Sequence, residues 1–161
     1  NLICFSGNRR GLSEEEGLEQ AVKALQPMVK LAEAHGVVLQ MELFNSIVDH
    51  PDYMADSSRW GIELARALNS PSFKLLYDIY HMQIMEGNLV ANIKENHQWY
   101  GHYHVAGVPG RNEPWESQEI NYPAVMAAIE STGFNGHVAL EYLFTTNKKE
   151  SMARSFTEFI R

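Results

Sequence analysis

The chain has 161 residues and a formal net charge of -7, and its 45% of hydrophobic residues is typical of a globular protein. The acidic balance, without clustered Lys and Arg, argues against a nucleic-acid surface and favours a small-molecule partner. No apolar run approaches the roughly eighteen residues of a membrane span, and no targeting segment is recognisable. We therefore expect a cytoplasmic protein, with export left open because the sequence begins inside a strand-like run.

Short apolar runs alternate with amphipathic stretches along the chain, which is the pattern of repeated βα units around a parallel sheet. The predicted strands cover residues 2–5, 37–44, 73–77, 101–105 and 137–142. The predicted helices cover about residues 14–35, 57–68, 89–96, 123–129 and 149–160. The first helix is the most clearly marked, because Ser13 and Glu16 have the spacing of a capping box and Gly36 follows its end.

Five predicted strands are too few for a closed barrel, because the small closed form takes about eight. An open doubly wound sheet is the alternative, although no Gly-rich phosphate loop follows any of the strands. We expect an α/β fold in which residues 1–161 are part of a single (β/α)₈ TIM barrel domain. Further upstream strands would complete the barrel, unless a second chain covers the two sheet edges, which leaves a homo-oligomer open.

Four residues of metal-ligand type lie at or just past the ends of predicted strands. They are Glu42, Asp78, His104 and Glu141. The carboxyl ends of all strands in a βα barrel meet at one mouth, so residues far apart in sequence become neighbours there. Three carboxylates and an imidazole form an oxygen-rich site that suits Mn²⁺, Mg²⁺ or Co²⁺, and Zn²⁺ stays open as an alternative.

Each of these four residues also has a structural explanation. A single carboxylate at a strand end is often solvated or caps the next helix. Glu42 and Glu141 lie in otherwise apolar segments, where an unpaired carboxylate is costly and a shared cation is the simplest compensation. An ion pair with Lys or Arg is the competing explanation for both glutamates.

Two further residues are candidates for contacting a substrate. His81 follows Asp78 by three residues and is expected in the loop after the strand, where it could hydrogen-bond a substrate oxygen. Arg111 lies in a polar loop and could hold a carboxylate or hydroxyl group, although a solvated Arg is the simpler reading. His102 is interpreted as structural, and the single cysteine, Cys4, as a buried apolar residue without chemistry.

At these residues the sequence resembles the xylose isomerase-like barrel superfamily and, within it, the hydroxypyruvate isomerase family. The matching segments begin at Glu42 and span nearly the whole chain from there onward. The most specific ones read D-I-Y-H-M-Q-I-M-E-G-N-L and V-A-G-V-P-G-R-N-E-P, and M-E-L-F-N, E-I-N-Y-P and G-F-N-G-H-V-A-L-E-Y accompany them. The resemblance implies that the chain holds the last five βα units of a TIM barrel.

The resemblance also implies an activity and roles for the candidate residues. It implies a metal site made by Glu42, Asp78, His104 and Glu141, with both glutamates acting in proton transfer. His81 and Arg111 would contact the substrate. The implied enzyme is a metal-dependent isomerase of the aldose–ketose type that converts hydroxypyruvate to tartronate semialdehyde through a metal-stabilised enediolate.

One position departs from the family pattern. Hydroxypyruvate isomerases carry Gln where this chain has His104, whereas the related ketose 3-epimerases carry His. A ketose 3-epimerase is therefore an alternative activity, and a non-catalytic sugar-binding barrel is another, because fold does not fix function. An endonuclease of the same fold would need more zinc ligands and a basic groove, which the acidic composition disfavours.

Overall fold

The computed structural model describes residues 1–115 and 117–159, which form one curved sheet of parallel strands with helices on its outer side. The strands are β1 (Leu2–Cys4), β2 (Leu39–Glu42), β3 (Phe73–Asp78), β4 (Tyr100–Val105) and β5 (Val138–Leu140). The helices are α1 (Glu14–His35), α2 (Ser58–Leu68), α3 (Ile79–Met85), α4 (Leu89–Asn96), α5 (Tyr122–Ser131) and α6 (Lys148–Phe159), with a 3₁₀ turn at His97–Trp99.

The strands lie in the order β1-β2-β3-β4-β5, and every neighbouring pair is parallel. This sequential order is the wall of a βα barrel and not an open doubly wound sheet, so the predicted fold class is confirmed. The first and last strands are sheet edges, and Leu2 and Phe5 at the β1 edge are each 58% exposed. The described residues thus form roughly five-eighths of a barrel wall.

One helix, α3, was missed by the sequence prediction, which left a loop after Asp78. The Asp78 side chain caps this helix by accepting a hydrogen bond from the backbone N–H of His81 at 3.2 Å. The other predicted helices are present, and the capping box of Ser13 and Glu16 forms with both of its hydrogen bonds. The predicted helix end at Ile160 lies outside the described residues. None of the helices in residues 1–115 and 117–159 is long and apolar enough to cross a membrane.

The two faces of the sheet have different chemistry. The outer face carries fully buried apolar side chains, including Met41, Leu75 and Tyr103, which pack against the helices. The inner face carries polar side chains that are nonetheless buried, such as Gln40 at 2% exposure and Glu42 at 3%. Because burial of unpaired polar groups is costly, this polar inner face indicates a functional interior.

A β-bulge at Gly101 sets the register of the inner face. Leu75 pairs with Tyr100 but the next residue, Leu76, pairs with His102, so Gly101 is the extra residue of β4. A Cβ atom at Gly101 would lie 2.5 Å from the Gln40 amide nitrogen and 2.8 Å from the Lys74 Cβ atom. Glycine is required by this close approach, and the resulting register places Asp78 directly opposite His104.

Candidate metal centre

The four residues predicted as metal ligands lie together at the carboxyl ends of neighbouring strands. Glu42 ends β2, Asp78 ends β3, His104 is the penultimate residue of β4, and Glu141 directly follows β5. One ligand-type atom from each of them lies within 4.8 Å of the others. The parallel register explains the convergence, since side chains of one parity point to the same side of a sheet.

The imidazole of His104 is at the middle of this cluster. Its Nδ1 atom lies 3.0 Å from Oε1 of Glu42 and 3.2 Å from Oε2 of Glu141. The Asp78 Oδ2 atom is 3.8 Å from the same nitrogen. Burial alone would lower the pKa of His104, but hydrogen bonds to the two glutamates outweigh it and raise the pKa to about 9.

Asp78 is buried to 1% exposure and its two oxygens have different surroundings. Oδ1 caps α3, whereas Oδ2 has no hydrogen-bond partner among the described residues. Burial raises the pKa of the Asp78 carboxyl to about 7, against the opposing effects of the cap and of His104. A buried carboxylate oxygen that lacks a hydrogen-bond partner is costly unless a cation binds it. Its position beside an imidazole and two other carboxylates is therefore typical of a cation site.

Glu141 was expected to be a buried carboxylate, but its side chain is 47% exposed. It accepts a hydrogen bond from the Arg111 guanidinium at 2.5 Å, so the ion pair considered as a competing explanation is present. The hydrogen bond with His104 is the main cause that lowers the pKa of Glu141 to about 2. For Glu42, by contrast, the expected burial is observed.

Arg111 lies in the loop after β4 and faces the same cluster. Besides Glu141 it approaches Oδ2 of Asp78 at 3.8 Å, and its guanidinium lies over the ring of Tyr80 at 5.5 Å. Arg111 and the His104 imidazolium therefore stand beside three carboxylates, so acidic groups outnumber cationic ones at this centre. Carboxylate oxygens with one imidazole nitrogen match the ligand preferences of divalent Mn, Mg, Co or Zn, so these four residues could hold such an ion.

His81 lies in α3 and not in a loop, and it is completely buried. Its Nδ1 atom accepts a hydrogen bond from the backbone N–H of Asn45 at 3.1 Å, and its Nε2 atom is 3.7 Å from Oδ2 of Asp78. Burial is the main cause that lowers the pKa of His81 to about 3, so the ring is neutral. The structure therefore brings His81 to the cluster from the helix that Asp78 caps.

Three residues at this mouth were not singled out from the sequence: Asn45, Asp49 and Tyr80. The Tyr80 hydroxyl donates to Oδ2 of Asp49 at 2.8 Å, and the Asn45 amide donates to the same oxygen at 2.6 Å. Asn45 follows Glu42 by three residues, and Tyr80 precedes His81. Proximity to the predicted ligands in sequence was the only signal for them, because the contacts of Asn45 with His81 and of Asp49 with Tyr80 join two different βα units.

His102 and Cys4 are the two residues that were interpreted as structural. The ring of His102 contacts that of His104 edge-on at 5.0 Å, and burial is the main cause that lowers the pKa of His102 to about 4. Burial also raises the pKa of the Cys4 thiol to about 11, so it carries no thiolate at neutral pH. Cys4 was expected to be buried, but the structure leaves it only partly buried at the edge strand β1.

Comparison with known proteins gives consistent results. The model of the xylose isomerase-like TIM barrel family matches residues 1–161. The chain is 37% identical over 131 residues to a putative hydroxypyruvate isomerase of Homo sapiens, covering 76% of this chain and 47% of that protein. It is 34% identical over 108 residues to a 2-oxo-tetronate isomerase of Pectobacterium atrosepticum, covering 67% of this chain and 40% of that protein.

A solved structure is similar over almost the whole chain. It is a crystal structure from Brucella melitensis described as an AP endonuclease of family 2, with a TM-score of 0.90 and 27% identity. The match covers 98% of this chain and 60% of the Brucella chain. The chain spans about half the length of the curated relatives it matches.

Proposed function

Because this chain belongs to the xylose isomerase-like TIM barrel family, we propose that it carries the metal centre of an isomerase for small 2-oxo acids. The preferred reaction is the conversion of hydroxypyruvate to tartronate semialdehyde. The observation that carries this proposal is the convergence of Glu42, Asp78, His104 and Glu141 to within 4.8 Å at the strand ends. The names of the similar human and Pectobacterium proteins support an isomerase of such acids.

The two glutamates are proposed to move the proton. One carboxylate takes a proton from the hydroxymethyl carbon of hydroxypyruvate, which leaves an enediolate. The other glutamate returns a proton at the former carbonyl carbon, while the hydroxyl proton moves between the two oxygens. Glu141, whose side chain is half-exposed, and Glu42, which is buried, both approach Nδ1 of His104, at 3.2 and 3.0 Å.

The same four residues are proposed to hold one divalent cation, namely Mn²⁺, Mg²⁺, Co²⁺ or Zn²⁺. When bound, such an ion supplies Lewis-acid polarisation of the substrate carbonyl and charge stabilisation of the enediolate. The chain itself contributes further positive charge through Arg111, which we propose to bind the substrate carboxylate or hydroxyl group. His81 is proposed to hydrogen-bond a substrate oxygen, because its buried ring faces the cluster.

We propose that residues 1–161 are the C-terminal portion of a single barrel domain. The open edges at β1 and β5 and the shorter span relative to the relatives support this interpretation. Roughly three further βα units would then cover the inner face. A second copy of the chain is the alternative way to cover the two edges.

The proposal is tested with the complete protein, hydroxypyruvate and deuterated solvent. After treatment with a chelator, the protein is supplied with each of the four ions, and NMR follows tartronate semialdehyde and deuterium at the substrate carbons. We expect ion-dependent conversion with solvent deuterium in the product. Ion binding without either conversion or exchange would instead indicate a sugar-binding barrel without turnover.

A ketose 3-epimerase is the second candidate, because His104 matches the residue that this group of enzymes carries at the position. It would use the same glutamates but requires room for a longer substrate. The same NMR assay with free ketoses separates the two activities, since an epimerase inverts a carbon without changing the carbonyl position.

A further inference from the structure

The Asn45 side chain has a fixed orientation in the loop after β2. Its Oδ1 atom accepts hydrogen bonds from the backbone N–H groups of Val48 and Asp49, both at 2.9 Å. Backbone N–H groups can only donate, so the oxygen and the nitrogen of this amide cannot be interchanged. The Nδ2 group therefore points away from the loop backbone and acts as a donor.

The donors of Asn45 converge on one nitrogen of His81. The backbone N–H of Asn45 lies 3.1 Å from Nδ1, and its side-chain Nδ2 lies 2.7 Å from the same atom. A nitrogen that faces two donors must be the acceptor, so Nδ1 carries no proton. The remaining proton of the neutral ring then resides on Nε2.

The Nε2 atom has no hydrogen-bond partner in residues 1–115 and 117–159, although His81 is completely buried. It lies 3.7 Å from Oδ2 of Asp78, on the side of the ring that faces the metal centre. A buried N–H group without a partner is costly unless a ligand completes it. Its position at the centre points to a substrate oxygen as that partner.

The other hydrogen of the Asn45 amide is fixed as well. It is donated to Oδ2 of Asp49 at 2.6 Å, and the Tyr80 hydroxyl donates to the same oxygen at 2.8 Å. Tyr80 in turn lies beneath the Arg111 guanidinium. The loop after β2 is thereby linked to both residues proposed to contact the substrate, which prevents the amide from turning away from His81.

We propose that Asn45 is a positioning residue that fixes His81 as a neutral Nε2–H donor toward a substrate oxygen. This inference rests on the proposed isomerase function for its catalytic consequence, but the protonation of the ring is independent of it. A neutral imidazole that donates to the enediolate oxygen stabilises developing negative charge without supplying a full proton. Loss of this orientation should lower kcat more than it raises KM, because the bond strengthens as charge develops.

The test replaces the side-chain hydrogen-bond donor at Nδ1 by an acceptor and keeps the hydrogen bonds that hold the loop after β2. In the complete protein, the double variant Asn45→Asp with Asp49→Asn keeps an acceptor for the two backbone N–H groups and a hydrogen bond between the two side chains. It replaces the side-chain donor that faces Nδ1 by a carboxylate oxygen, which should draw the proton of His81 to Nδ1 against the one remaining donor, the backbone N–H of residue 45. The matched control is Asp49→Asn alone. It carries the same change at position 49 but keeps Asn45 as the donor to Nδ1.

Nitrogen-15 NMR of histidine-labelled protein reports which ring nitrogen is protonated, and the spectrum of His81→Gln assigns the signals. We expect the proton of His81 on Nε2 in the unmodified protein and in Asp49→Asn, and on Nδ1 in the double variant. We also expect kcat in the double variant to fall about tenfold or more below that of Asp49→Asn, the effect of one lost hydrogen bond.

Three results would overturn the proposal. A proton on Nδ1 in the unmodified protein contradicts the assignment, and an unchanged tautomer in the double variant shows that the Asn45 side chain does not set it. A shifted tautomer with the kcat of the control would show that the donor has no catalytic role. If the unmodified protein converts no substrate, the isomerase proposal fails, while the NMR result still decides the role of Asn45.

Discussion

The Nδ1 atom of His104 lies 3.0 Å from Oε1 of Glu42, although the two residues are 62 positions apart in the sequence. The same nitrogen faces Glu141 at 3.2 Å and Asp78 at 3.8 Å. His104 therefore offers Nδ1, and not Nε2, to the centre of the cluster. This arrangement makes each of the four side chains individually testable.

Replacing Glu141 by Gln should abolish proton transfer without unfolding the protein. The amide can still accept from Arg111 but cannot act as a base, so we expect solvent deuterium exchange to fall by at least about 100-fold. Because the side chain is 47% exposed, the melting temperature should change little. NMR of the substrate and thermal unfolding measure the two effects. Glu130→Gln, at an exposed position of α5, is the control, and undiminished exchange in Glu141→Gln would refute the base assignment.

Two substitutions of Asp78 should separate its two roles. Asp78→Asn keeps an oxygen that can cap α3 but removes the charge offered to a cation, so metal affinity should fall while stability is retained. Asp78→Ala loses the cap as well and should cost about 1 kcal/mol more in free energy of unfolding. Calorimetric metal titration and urea unfolding without metal give the two quantities. Equal stability of both variants would contradict the capping role.

A bound divalent ion should stabilise the folded protein. An ion that binds only the native state adds about 2.7 kcal/mol at one hundred times its dissociation constant. We expect Mn²⁺ to raise the melting temperature of the unmodified protein, EDTA to reverse the rise, and Asp78→Asn to show a much smaller shift. Glu130→Gln should respond like the unmodified protein, and an equal rise in Asp78→Asn would place the ion elsewhere.

Glu113 should make stability depend on pH. Its buried carboxylate accepts hydrogen bonds from the backbone and hydroxyl of Thr145 at 2.9 and 2.7 Å and from Ser151 at 3.1 Å, which ties the loop after β4 to the start of α6. Burial raises the pKa of Glu113, but these bonds outweigh it and lower the pKa from 4.5 to about 2. The carboxylate thus stabilises the fold above pH 4.5, and this contribution is lost as the pH falls toward 2.

The corresponding measurement compares Glu113→Gln with the unmodified protein in urea unfolding between about pH 7 and pH 3. We expect a deficit of about 1–3 kcal/mol at neutral pH that shrinks as the pH decreases below the pKa of the unfolded state. Glu130→Gln should show no such trend. A deficit that is constant with pH would indicate that the charge of Glu113 contributes nothing.

Gly101→Ala should destabilise the protein through the β-bulge. The added methyl group would meet the Cβ atom of Lys74 at 2.8 Å, and that atom cannot move independently of its strand. We expect a loss of about 1–3 kcal/mol in urea unfolding. Gly17→Ala is the matched comparison, since the atoms nearest to its methyl group all belong to the unbranched Met54 side chain and the helix gains from alanine. Equal costs for the two variants would argue against a rigid bulge.

The amino-acid sequence by itself determined the alternation of strands and helices and the residues at the strand ends. The alternation of strands and helices predicts a parallel sheet, and the geometric consequence of a parallel sheet is that the carboxyl ends of its strands share one rim. Glu42, Asp78, His104 and Glu141 could therefore be grouped before any distance was known. Helix α3 escaped prediction because it follows β3 without a Gly or Pro break, although Asp78 is a good cap and Gly87 marks its end.

Only the tertiary structure decided which partner each of these groups has. The pairing of Arg111 with Glu141 and the approach of Asn45 to His81 join residues 30 and 36 positions apart. Such contacts depend on the register of neighbouring strands and on loop conformations, which a bulge at a single glycine can shift by one residue. The sequence lists the acids, bases and donors, whereas the packing of the sheet determines which of them share a proton.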